Sequence, residues 1–110
     1  MKPITDSTLV AAIGAVTTPI VIKFEAKWCQ PCKVMTPIIL EVEKEFAGRL
    51  TFFSANVEHC QLITQRYKIS QIPGLLAIEN GIVTAIKTGA MRKQEILEWI
   101  SMAFPSLRST

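Results

Sequence analysis

Phe24-Glu25-Ala26-Lys27-Trp28-Cys29-Gln30-Pro31-Cys32-Lys33 joins the end of a predicted strand to the start of a predicted helix and places two cysteines at the join. The first sits where unpaired backbone N–H groups and the helix dipole stabilise a thiolate, so the pair is suited to cycle between dithiol and disulfide with that thiolate as nucleophile. Pro31 suits the first helical turn, where its missing N–H would have had no partner. Trp28 offers a flat apolar surface beside the sulfur for a docking polypeptide.

Outward from this stretch, residues 20–24 (Ile-Val-Ile-Lys-Phe) read as a central strand, β-branched and apolar on both faces apart from Lys23. Downstream, Val34, Met35, Ile38, Ile39, Val42 and Phe46 recur at helical spacing opposite Lys33, Glu43, Lys44 and Glu45, and the helix ends before Gly48. Pro37 falls inside it, deletes the bond to the Lys33 carbonyl and should kink it. On the N-terminal side, a possible edge strand near Ile4 precedes a short helix over about 9–16, for which Asp6, Ser7 and Thr8 are candidate caps. That helix is apolar around most of its circumference, which fits either burial against the sheet or a face held for a partner.

The remaining chain reads as a strand over 50–57, a short helix over about 60–67, and a loop ending in Ile72-Pro73-Gly74. Strands over 75–78 and 82–88 flank Asn80-Gly81, the strongest hairpin signal present, and a last helix over about 92–104 stops at Pro105. The order β, α, β, α, β, α, hairpin, α calls for helical crossovers between the first strands and antiparallel strands from the hairpin. No repeat, low-complexity tract or linker divides the chain, so residues 1–110 are expected to form a single α/β domain.

Composition narrows the function classes. An apolar fraction of 49% with 19% charged residues argues against disorder, and a net charge of +3 with interspersed signs gives neither a nucleic-acid stripe nor a polybasic membrane anchor. Three cysteines are too few and too unevenly spaced for a secreted disulfide scaffold, which favours a reducing, cytoplasmic setting. The uncharged run from Leu9 to Ile22 is weighed as a signal peptide and set aside, because Asp6 precedes it, no clear cleavage site follows and residues 19–24 are needed as a strand. It is also shorter than a bilayer span. Cys60 beside His59 reads as a small buried hydrophobe, with a redox sensor or an intermolecular disulfide as the alternative. Zinc held by Cys29, Cys32, His59 and Cys60 is not expected, since the strand and helix order keeps the last two away from the first pair.

Trp28-Cys29-Gln30-Pro31-Cys32-Lys33 resembles the thioredoxin family's Trp-Cys-Gly-Pro-Cys-Lys with one change. Pro37, Ile72-Pro73, Asn80-Gly81 and Gly89 are similar to that family's helix kink, cis-proline loop and turn positions, in the same order over nearly the whole chain. The resemblance implies a thioredoxin fold, a central mixed sheet of four to five strands flanked by about four helices. It implies a protein-disulfide oxidoreductase without organic cofactor or metal, probing disulfide-containing protein substrates as a monomer and recharged by a reductase or other dithiol donor. By resemblance Cys29 attacks and Cys32 resolves, consistent with the second cysteine lying almost a turn inside the helix. Pro73 is implied to be cis and close to the sulfurs, leaving the backbone of Ile72 to pair with a substrate strand. Trp28, Val57, Ile72, Gly74, Gly89 and Ala90 are the implied docking rim. The rival readings are an accessory subunit whose cysteines are incidental and an exported redox protein.

The sequence departs from the family pattern at three neighbouring places. Lys23 stands where the family usually has a buried aspartate, Glu25 where it has an aromatic, and Ser54 where it has a lysine. Lys23 and Glu25 share one strand face and are able to neutralise each other. Either Glu25, or a water held by the pair, takes over proton transfer for Cys32, or the pair only keeps the interior neutral, or Lys23 snorkels to solvent. A positive charge here is expected to favour thiolates and make the protein more oxidising than an ordinary family member. Gln30 adds a side chain beside the reactive sulfur, and Gly74, in place of a common threonine, is expected to loosen the loop.

Overall fold

A computed structural model describes residues 1–107. The elements follow in the order β1 (Lys2–Ile4), α1 (Leu9–Gly14), β2 (Ile20–Glu25), α2 (Gln30–Glu45), β3 (Thr51–Asn56), α3 (Gln61–Arg66), β4 (Gly74–Glu79), β5 (Ile82–Thr88) and α4 (Lys93–Ala103), with a final 3₁₀ turn at Pro105–Leu107. The strands form one sheet in the order β1-β3-β2-β4-β5. β1 and β2 run parallel to β3, whereas β4 runs antiparallel to both β2 and β5. The mixed sheet and four helices match the architecture expected from the sequence.

β2 and β4 are buried over five of their six residues each, which is why both read as continuous apolar runs. Their alternate side chains feed two cores. On one face Val21, Phe52, Leu75 and Ala77 pack with Met35, Ile39 and Val42 of α2 and with Ile96, Trp99 and Ile100 of α4. On the other, Ile20, Ile22, Phe24, Phe53 and Leu76 pack with Cys60 and Ile63, and α1 contributes Leu9, Ala12 and Ile13 from its edge. Trp99 is thus a core residue. Lys23 shares the α2 face of β2 with Val21, directly beneath the first turns of that helix.

α1 answers its two readings in part: one stripe packs on the sheet, none of its residues is fully buried, and Val10 remains 83% exposed. Its capping differs from expectation. The Thr8 hydroxyl turns back to accept the N–H of Thr5, while Asp6 accepts the N–H groups of Leu62 and Ile63 and thereby caps α3. At the hairpin, Asn80 and Gly81 adopt φ of +54° and +77°, the left-handed pair that a two-residue turn requires.

Candidate active site

The N-terminus of α2 is built around sulfur. Cys29 is the N-cap residue, and its Sγ accepts the Cys32 N–H at 3.2 Å, so the sulfur occupies the place a capping oxygen usually takes. Pro31 lies in the first turn. Cys29 and Cys32 are joined as a disulfide, with Cα atoms 5.3 Å apart. The two residues are 5% and 2% exposed, so shielding distinguishes them less than their positions along the helix suggest.

The flanks of this disulfide come from distant parts of the chain. Val57, after β3, and Ile72, before β4, pack against the cluster of Ala26, Cys29 and Cys32. The Ile72–Pro73 peptide is cis, and the Pro73 carbonyl accepts the N–H of Gly89 at 2.8 Å, tying the loop before β4 to the end of β5. Gly89 holds φ at +98°, a conformation that favours glycine. Trp28 projects beside the sulfurs at 67% exposure, and Gln30 and Ala90 are exposed.

Gly74 needs a correction. It is buried within β4, paired with both Phe24 and Thr88, and an added Cβ would come within 3.3 Å of the Gln71 carbonyl oxygen. Its lack of a side chain answers a tight fit against the Gln71 carbonyl oxygen and the methyl groups of Ile69 and Thr88, and it is neither an exposed rim residue nor a source of loop freedom.

An apolar groove of about 470 Å³, which no sequence motif marks, lies between α2 and the start of α4. Val34, Met35, Ile38 and Met91 line it, and it runs up to Gln30, Pro31 and Ala90 beside the disulfide. Val34, which helical spacing groups with the apolar stripe of that helix, is instead 61% exposed on the wall of this groove.

Lys23 does not snorkel. Its side chain is fully buried, and Nζ donates to a Glu25 carboxylate oxygen, to Thr36 Oγ1 at 2.9 Å and to the Cys32 carbonyl at 3.0 Å. Glu25 is partly exposed and lines a cavity of about 420 Å³ that also reaches Cys32, Ser54, Asn56 and His59. Ser54 lies beside Lys23 in the sheet register, where a short side chain leaves this space open.

The third cysteine stays apart. Cys60 is fully buried, and its Sγ donates to the Ile4 carbonyl at 3.1 Å. Burial pushes its thiol up from the ordinary value, helped by the Asp6 carboxylate and opposed by a backbone hydrogen bond from Asn56. No cluster of three metal-ligating side chains occurs among the described residues.

A helix-tip disulfide, flanked by apolar surface and a cis-prolyl loop on a mixed α/β sheet, defines a thiol–disulfide oxidoreductase. The family model described as Thioredoxin matches residues 1–102, and the chain belongs to the thioredoxin family. It is 34% identical over 98 residues to the thioredoxin of Rickettsia felis, covering 89% of this chain and 93% of that protein. Against the thioredoxin of Haemophilus influenzae it is again 34% identical over 98 residues, covering 89% and 92%. Thioredoxin C-2 of Corynebacterium nephridii is 32% identical over 96 residues, covering 87% of this chain and 89% of that protein. Membership implies disulfide-bearing protein substrates and a reductase partner.

Proposed function

We propose that the chain works mainly as a monomeric reductant of protein disulfides in the cytoplasm, with Cys29 as the attacking thiolate and Cys32 as the resolving one. The observation that carries this reading is the capping of α2 by Cys29: the helix N-terminus and the Cys32 N–H both favour negative charge on that sulfur. Cys29 attacks a target disulfide, one target sulfur leaves, and Cys32 then displaces the other, restoring the Cys29–Cys32 bond. A reductase or other dithiol donor returns the pair to the dithiol.

Trp28, Val57, Ile72, Gly89 and Ala90 serve as the docking rim. The N–H and carbonyl of Ile72 make no backbone hydrogen bond among the described residues, which leaves both for an extended target segment. Gln30 and Pro31 set the shape of the surface between the sulfurs, and Pro73 holds Ile72 in place. A reducing, cytoplasmic setting is supported by the buried free thiol of Cys60.

Reduction of insulin by a dithiol-charged protein tests the assignment. Cys29→Ser should abolish turnover, whereas Cys32→Ser should accumulate a mixed disulfide through Cys29. A wild type that leaves insulin disulfides intact, with a partner-holding role that survives Cys29→Ser, would return the protein to the accessory-subunit reading.

A further inference from the structure

Lys23 is the one charged side chain that is fully buried among the described residues. Removing an ammonium from water costs several kcal/mol unless its donors are met. Here they are: Glu25, Thr36 Oγ1 and the Cys32 carbonyl are three acceptors for the three N–H bonds of an ammonium. The Thr36 hydroxyl directs its own proton to the Cys32 carbonyl at 3.1 Å, leaving a lone pair for Lys23. Two donors therefore converge on the backbone of Cys32, and one carries a full charge.

The opposite charge is placed differently. Glu25 is 29% exposed and faces that cavity, where solvent screens it, whereas Lys23 lies in the low-dielectric interior. The other titratable groups around that cavity, Lys27, Lys33 and His59, are exposed and more strongly screened. Lys23 is therefore the less screened of the two charges, and its ammonium lies against the Cys32 backbone.

We propose that Lys23 is a positioning residue for disulfide exchange, fixing the Cys32 backbone and stabilising negative charge on the Cys32 sulfur when the Cys29–Cys32 bond opens. The inference rests on the exchange reading above. In the opening step a thiolate attacks Cys29 Sγ and forms a new S–S bond there. The Cys29–Cys32 bond breaks, its electron pair leaves on Cys32 as a thiolate, and solvent in the cavity supplies a proton. A better-stabilised leaving sulfur departs faster, and the equilibrium moves toward the dithiol. Glu25 moderates this effect.

Equilibration of the full chain with defined ratios of reduced and oxidised glutathione, followed by thiol trapping, gives the constant for dithiol formation. It should rank Glu25→Gln highest, then wild type, then the double variant Lys23→Met/Glu25→Gln, then Lys23→Met. Lys23→Met should fall at least tenfold below wild type, about 30 mV for this two-electron couple. A purely structural ion pair would instead move both single variants in the same direction. The double variant leaves no buried unpaired charge, so the ranking against Glu25→Gln and wild type survives even if Lys23→Met fails to fold. Any other order, or constants within twofold of one another, overturns the assignment. A wild type that never populates the disulfide in these buffers would instead sink the exchange reading itself.

Discussion

Cys60 illustrates how burial makes one thiol inert in a protein whose activity depends on two others. Its sulfur is enclosed and donates to the Ile4 carbonyl, and its ionisation is pushed above the ordinary value of 9.0. With the Cys29–Cys32 disulfide formed, a thiol-specific reagent should find nothing reactive in the native protein and one thiol after unfolding. The sign of its pH effect follows. The fold retains the proton that the unfolded chain releases, so the stabilisation is complete below the unfolded value and is lost as pH rises through the folded one. Urea melts at increasing alkaline pH should therefore decline more steeply for wild type than for Cys60→Ala. Equal decline would mean that this thiol ionises alike in both states.

Among the elements, the short helix α3 depends on a residue far from it in sequence. Asp6 accepts the N–H groups of both Leu62 and Ile63, each at 3.1 Å. Removing a side-chain cap costs about 1 kcal/mol, so Asp6→Ala should lose about that much in urea unfolding, while Asp6→Asn, which has one acceptor oxygen where the carboxylate uses two, should fall between wild type and Asp6→Ala. Helix α4 is capped locally: Glu95 accepts the Arg92 N–H at 3.1 Å, and that bond, with the Arg92 side chain, holds the carboxyl below its ordinary value. The support it gives is present above the ordinary carboxylate value and lost as pH falls through the lowered one. The Arg92 amide resonance should shift through that acidic window in wild type and stay flat there in Glu95→Gln. The contrast between these caps also explains what sequence could reveal. Asn80-Gly81, Pro37 and the cysteine-bearing turn are local signals, and each element they mark is present. Lys23 and Glu25 were recognisable as a pair because they lie two residues apart on a strand face. The bonds from Lys23 to Cys32 and Thr36, the Asp6 cap and the groove between Val34 and Met91 all depend on helix placement, which no spacing within one segment encodes. Gly74 depends on a different placement, since the atoms crowding it belong to Ile69 and Gln71 of the preceding loop and to Thr88 on the paired strand.

For the molecule as a whole, the disulfide belongs to neither main core; it forms a small cluster with Ala26 that meets the second core through Val57 and Ile72. The fold should accordingly survive reduction. Opening a link between residues three apart returns about 2 kcal/mol of chain entropy to the unfolded state, less whatever Lys23 contributes to the dithiol form. Calorimetry should show the reduced protein melting several degrees lower in one cooperative transition; loss of that transition would mean that the disulfide holds the cores together. The sheet order carries a further consequence for biosynthesis. Lys2 pairs with Phe53 and Ile4 with Ala55, so the first strand has no neighbour until that distant stretch has been translated. At about 5–20 residues per second, Leu9, Ile13 and their surroundings wait several seconds at the ribosome without a surface to cover them, a window in which nascent-chain chaperones have something to hold.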